Sequence, residues 1–193
     1  MPTPMIHEKI AYDLARKYPE LDTSDFYLGI LAPDTPNLHG FAPKEMRWTS
    51  HLRDSDLSIW KDNIKRFYKE TSTYPKNFLI GYYLHIYTDI IVDEKFYLPV
   101  TSKIIEKDSH QRYLLDMDYY AHNLKESKFF KEIKSKLEET PSYDIRNISA
   151  KDLTLFKEQF LSKTYPNEEP KYITDELIKE IDSEIEKEYL SLR

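Results

Sequence analysis

The sequence predicts an all-helical fold, a single-domain helical bundle, and three observations carry that reading. Apolar residues recur mostly at three- and four-residue steps, the period of one face of a helix. The longest apolar stretch, NFLIGYYLHIYTDIIVDEKF, is apolar nearly all round and too long for a buried strand, which marks a central buried helix from Pro75 to about Tyr97. The chain closes on ITDELIKEIDSEIEKEYL, a charged amphipathic helix with a solvated face.

The remaining elements follow in order. Ile6, Ile10 and Leu14 step by four, and the helix they define ends before Tyr18-Pro19, because proline restricts the residue ahead of it. Ser24 is expected to cap a short helix, FYLGILA, that stops at Pro33. Residues 33–50 carry three prolines and a glycine and read as a loop ending at His51. Asp54 is expected to cap the next helix, with Leu57, Trp60, Ile64, Phe67 and Tyr68 along one side. Helices over 102–125, 126–139, 149–163 and 173–192 complete the set. The stretch 140–147 is the only candidate break, and it reads as a loop inside one domain spanning 1–193.

Composition narrows the function. Only three glycines occur among 193 residues, and none of the glycine-spaced fingerprints is present, which argues against phosphate-cradling loops of the Walker or dinucleotide type. The net charge is −6 and no basic face is evident, so an extended nucleic acid is not an expected partner; a single phosphoester at a metal site is compatible, because the ion supplies positive charge locally. The absence of cysteine removes disulfides, thiolate metal sites and cysteine nucleophiles together, leaving His and carboxylate ligands for any metal. The N-terminus lacks a basic start followed by an apolar run, and no later stretch is long and apolar enough to span a bilayer. The expected address is the cytoplasm.

His85 and Asp89 lie four apart on the central helix, so their side chains leave one face close enough to share a metal. An ionised aspartate in apolar surroundings needs a cation or several donors. A metal answers that need, and so does a buried Arg or a Tyr hydroxyl. Asp34, in Leu-Ala-Pro-Asp-Thr-Pro, and His51, in Ser-His-Leu-Arg-Asp, can be read as a turn residue and a pre-cap residue. Together with His7 on the first helix, however, the set offers the nitrogen and oxygen ligands of a zinc site from separate elements.

With these residues in place, the first half of the chain, about residues 1–96, resembles the zinc-dependent phospholipase C and P1-type nuclease group, especially its shorter bacterial cytoplasmic members. The matching motifs, in order, are Met-Pro-Thr-Pro before His7, Tyr27-Leu28-Gly29 leading into Ala32-Pro33-Asp34, Ser50-His51-Leu52-Arg53-Asp54, and Gly81-Tyr82-Tyr83-Leu84-His85-Ile86-Tyr87-Thr88-Asp89. The resemblance implies a helical fold around up to three metal ions. Asp34, His51, His85 and Asp89 would bind one ion; His7 and Asp89 would serve a second, with Asp89 as the bridge and Asp34 and Asp89 as the catalytic carboxylates. Metal pairs of this kind suit phosphoester hydrolysis.

The chain also departs from that pattern. Secreted members of the group use the α-amino group of an N-terminal tryptophan as a ligand, and no Trp stands near this start. A third ion would require ligands beyond the central helix, where only Asp118 and His122 match, in reversed order; Asp93 or Glu94 could add one more. One or two zinc ions therefore fit better than three. Arg53 can clamp a substrate phosphate or simply be solvated. His39 and His110 read as exposed. The expected function is hydrolysis of a small-molecule phosphoester, a lipid headgroup or a nucleotide, by a zinc-type centre. The alternatives are a metal-binding module of the same fold with decayed catalysis, and a structural bundle in which His85 and Asp89 satisfy each other. The adjacent His-Asp signature of HD-type phosphohydrolases is absent.

Overall fold

The computed structural model describes residues 2–193, and among these the chain is all-helical, with no β-strand and a single isolated bridge between Ile145 and Ile148. Helix α1 (Pro4–Lys17) begins on a proline, tolerated where no N–H is needed, and ends on Arg16 and Lys17, which suit the negative end of the helix dipole. A short 3₁₀ turn (Pro19–Leu21) leads to α2 (Ser24–Leu31). The cap of α2 is Thr23 rather than Ser24: its hydroxyl accepts from the Phe26 N–H at 3.3 Å.

The segment 33–50, expected to be a loop, is largely helical. A 3₁₀ helix (Ala32–His39) continues directly from α2, and α3 (Lys44–Ser50) follows after Gly40. Pro33 falls in the first turn of the 3₁₀ piece, where the helix tightens rather than ends. Gly40 alone supplies the turn, at φ 106. Helix α4 (Leu57–Glu70) is capped by Asp56, which accepts from the Ser58 N–H at 2.8 Å; Asp54, the expected cap, instead accepts from the Asp56 N–H at 2.9 Å.

Helix α5 (Lys76–Ile91) is the centre of the molecule, with thirteen of its sixteen residues buried. It runs into a single π-helical turn (Val92–Phe96) and α6 (Tyr97–Thr101). Around it stand α7 (Ser109–Lys125), α8 (Lys128–Glu138), α9 (Ala150–Ser162) and α10 (Asp175–Leu192). The contiguous apolar core runs from Met5 on α1 to Tyr189 on α10. Tyr83 of α5 donates to Glu188 of α10, and Asp116 of α7, fully buried, accepts from the N–H groups of Lys171, Tyr172 and Ile173 at 2.6–3.1 Å, tying the approach to α10 onto the bundle. No helix among the described residues is long and apolar enough to cross a membrane.

Two glycines bring α2 and α5 together. A Cβ on Gly81 would lie 2.2 Å from the Phe26 carbonyl oxygen, and one on Gly29 would lie 2.1 Å from that of Phe78. Both obstacles are backbone, so neither can move aside. This approach lets His85 on α5 reach the Ile30 carbonyl on α2, at 2.6 Å. In an open helix Gly→Ala would gain about 0.5–1 kcal/mol. Here the clash outweighs that gain, and Gly81→Ala is expected to destabilise by about 2 kcal/mol, within the range for overpacked cores. A thermal melt checks this: the variant should lose about 4–8 °C. A variant melting at or above the wild type would mean that the two helices do not meet so closely.

Candidate metal centre

Five polar residues converge in the core where apolar packing would be expected. His7 comes from α1, Asp34 from the 3₁₀ helix after α2, His51 from the end of α3, and His85 and Asp89 from α5; Asp34 is 5% exposed and the others 1% or less. Two groups of potential ligands have their atoms within 4.8 Å of one another: His7, His85 and Asp89, and Asp34, His51 and His85. His85 belongs to both.

Four of the six distances among His51, His85, Asp34 and Asp89 are close to those a tetrahedral ion imposes. His51 Nε2 lies 3.3 Å from His85 Nε2, 3.4 Å from Asp89 Oδ2 and 3.5 Å from Asp34 Oδ1, and His85 Nε2 lies 3.7 Å from Asp89 Oδ2. Ligand bonds of about 2.0–2.2 Å in a tetrahedron separate neighbouring donors by about 3.3–3.6 Å. On the other side of Asp89, Oδ1 is 3.3 Å from His7 Nε2, and the His7 ring stacks on that of His85 with centroids 3.8 Å apart. Both oxygens of Asp89 and both ring nitrogens of His7 lack a hydrogen bond of proper geometry among the described residues, although they are fully buried. Buried polar atoms are rarely left in that state without another ligand.

The outer contacts set the tautomers. His85 Nδ1 is 2.6 Å from the Ile30 carbonyl oxygen and His51 Nδ1 is 2.9 Å from that of Arg47. A carbonyl can only accept, so each Nδ1 carries its proton and each Nε2 lone pair faces its neighbours, the arrangement of a ligating imidazole. Two such lone pairs 3.3 Å apart repel unless something positive lies between them. The backbone at His51 is held as firmly as its ring. Trp60 Nε1 donates to the His51 carbonyl at 2.7 Å, Tyr82 donates to the Ser50 carbonyl, and Asn63 Nδ2 donates to the Leu52 carbonyl at 3.2 Å. These bonds keep Leu52 in the left-handed region, at φ 53, which no cap or turn motif in the sequence announces.

Protonation follows from burial and neighbours. Burial, with His7 second, pushes the His85 imidazolium down to about 3, so His85 is neutral and able to ligate at physiological pH. Burial works to raise the Asp34 and Asp89 carboxyls, but the surrounding imidazoles outweigh it and hold both below the usual range. His51 is raised: burial opposes its charge and the two carboxylates prevail. The cluster therefore concentrates negative charge in the core. Its own means of balance is a proton on His51, and a divalent cation meets the same need.

Beside the centre lies a cavity of about 790 Å³ that reaches Asp34. Arg47, Arg53, Phe156 and Tyr165 are among the residues lining it. Arg53 lies over the Trp60 ring at 4.5 Å and pairs with Asp93 at 2.6 Å while lining this cavity, so it is not freely solvated. Asp93 is thereby committed, as is Glu94, which pairs with Lys61 at 2.8 Å; neither extends the ligand set. The structure does not bring Asp118 and His122 into it either. Asp118 faces Lys163 at 3.7 Å and His122 Nδ1 lies 3.1 Å from the Tyr165 carbonyl, so both hold the segment after α9. His39 and His110 are exposed.

Sequence reasoning missed two residues. Arg47, one turn before His51, stacks on Phe41 at 3.9 Å in the wall of the cavity; its i, i+4 relation to His51 was the available signal. Glu8, beside His7, is fully buried with no hydrogen-bond partner among the described residues, and burial raises its carboxyl well above the usual range. No protein-family model, curated protein or solved structure matches this chain.

Proposed function

We propose that this chain is a metal-dependent phosphoester hydrolase with a zinc-type centre, of the kind the phospholipase C and P1 nuclease group contains. The observation that carries the reading is that His51 Nε2 stands 3.3–3.5 Å from donor atoms of His85, Asp89 and Asp34, with His85 Nε2 3.7 Å from Asp89 and the Nδ1 of each imidazole turned to a carbonyl. Charge and donor type fit as well, since two carboxylates with imidazole nitrogens suit zinc in a protein without cysteine.

Each residue then has a definable task. His51 and His85 would hold an ion through Nε2, and Asp89 would bridge towards His7 with its second oxygen. When bound, such an ion supplies acidity to a water and positive charge to the phosphoryl oxygens. Asp34 is the one carboxylate of the set that lines the cavity, and the oxygen it does not give to the ion would receive a proton from an attacking water. Arg47 and Arg53 line the same space and would orient the phosphoryl group through their guanidinium forks. The apolar wall at Phe156 and Tyr165 leaves room for a carbon-bearing leaving group, of the lipid-headgroup or small-molecule kind.

Elemental analysis of the purified protein, with turnover of a generic phosphodiester and phosphomonoester, tests the reading. The expected result is at least one zinc-type ion per chain and turnover that disappears with a chelator and returns with metal. Metal without turnover would make the chain a binding module built on the same centre. Neither metal nor turnover would end the proposal.

A further inference from the structure

We propose that a second cleft, walled by α3, α4 and the turn at Ile145–Ile148, is a binding site for the phosphate group of a small anion. The cleft measures about 430 Å³, and Arg53, Arg66 and Arg146 line it together with Trp48, Phe67 and one carboxylate, Glu70. With Arg53 paired to Asp93, the two remaining guanidiniums face a single acid, a local excess of positive charge on a protein whose net charge is −6. Such forks match pairs of phosphate oxygens better than any neutral ligand.

The arginines that the fold does not use are the telling ones. Arg66 makes one hydrogen bond, to Asn63 Oδ1 at 2.9 Å, and Arg146 makes one, through Nε to the Thr49 carbonyl at 2.9 Å; neither forms an ion pair among the described residues. Elsewhere on the surface Lys17, Lys61, Lys95 and Lys136 all find carboxylates, and within the cleft Arg53 does too. Arg146 is also held deliberately. Its backbone stands at φ 55, and that strained turn is fixed by two 2.9 Å bonds between Ile145 and Ile148 and by Asn147 Nδ2 on the Met46 carbonyl at 3.2 Å. The result places the guanidinium 5.9 Å from the Phe67 ring, in the lining of the cleft.

The site is separate from the metal centre but adjoins it. Thr49, Leu52 and Arg53 flank His51 in the chain, and Arg53 lines both this cleft and the cavity at Asp34. The assignment does not depend on hydrolysis, because the charge excess exists whatever the centre does.

Calorimetric titration with inorganic phosphate, before and after treatment with a chelator, tests it. Adenosine monophosphate serves as a second probe, whose ring can use Trp48 and Phe67. The expected result is salt-sensitive binding that persists after chelation and weakens about tenfold or more in Arg66→Gln/Arg146→Gln, with an unchanged melt. If Arg146→Gln disturbs its turn, Arg146→Gly suits φ 55 and removes the same charge. Tighter binding of the nucleotide identifies a ring-bearing ligand, and equal binding identifies phosphate alone; both support the site. Binding lost on chelation would assign the phosphate to the metal centre and overturn the proposal. So would undiminished binding by the double variant, or no binding by the wild type.

Discussion

Asp89→Asn is expected to lower metal affinity by more than about tenfold, a loss of at least ~1.4 kcal/mol, while helix content stays the same. Asparagine preserves the shape of the side chain, and α5 around it is buried on nearly every side, so the fold has little to lose. What disappears is the negative charge between His7 on one side, at 3.3 Å, and His51 and His85 on the other, at 3.4 and 3.7 Å. A neutral amide would leave two cations repelling each other and would bind either one less well. If the core simply contains a satisfied His–Asp cluster, neither protein binds metal and Asp89→Asn melts lower whether or not zinc is added, because removing one partner of a buried pair is destabilising. Metal titration and thermal melts on the same two proteins separate these outcomes.

Metal is also expected to stabilise the wild type strongly. A ligand that binds only the folded chain adds about 4.1 kcal/mol at a free concentration a thousand times its Kd. The donors come from α1, the 3₁₀ helix, α3 and α5, so unfolding scatters them and such selective binding follows from their positions. For a chain of this length the gain corresponds to a rise of about 8–16 °C in Tm. Scanning calorimetry of chelated protein, with and without added zinc, measures it. The same experiment on Asp89→Asn should give a much smaller rise, and a wild type indifferent to both chelator and zinc would contradict the account.

Much of this was legible in the chain, for reasons specific to each element. The four-residue spacing of Ile6, Ile10 and Leu14 and the all-round apolarity of α5 report burial directly, so the fold class and the central helix follow from pattern alone. The His85–Asp89 pair was legible because helix geometry puts it on one face, and Asp34 and His51 because two prolines flank the first and the second closes the proline-rich segment. Segment 33–50 misled because its prolines fall where a 3₁₀ turn tolerates them, and the cap positions shifted because neighbouring Ser, Thr and Asp residues compete for the same N–H groups. Asp118 and His122 had the right spacing on α7, but their side chains meet Lys163 and Tyr165, partners more than forty residues away that no local pattern reveals. Glu8 and the Arg53–Asp93 pair were illegible for the same reason: burial and pairing there depend on which helices pack together.

The central claim is that one ion sits among four side chains of known identity, and an anomalous difference map recorded at the zinc edge tests it most directly. Crystals grown with the metal should show a peak about 2.0–2.2 Å from His51 Nε2, His85 Nε2 and one oxygen each of Asp34 and Asp89, with a second, weaker peak between Asp89 and His7 allowed by the bridge. A map without a peak there, or a peak held by other side chains while these residues keep their present packing, would contradict the account.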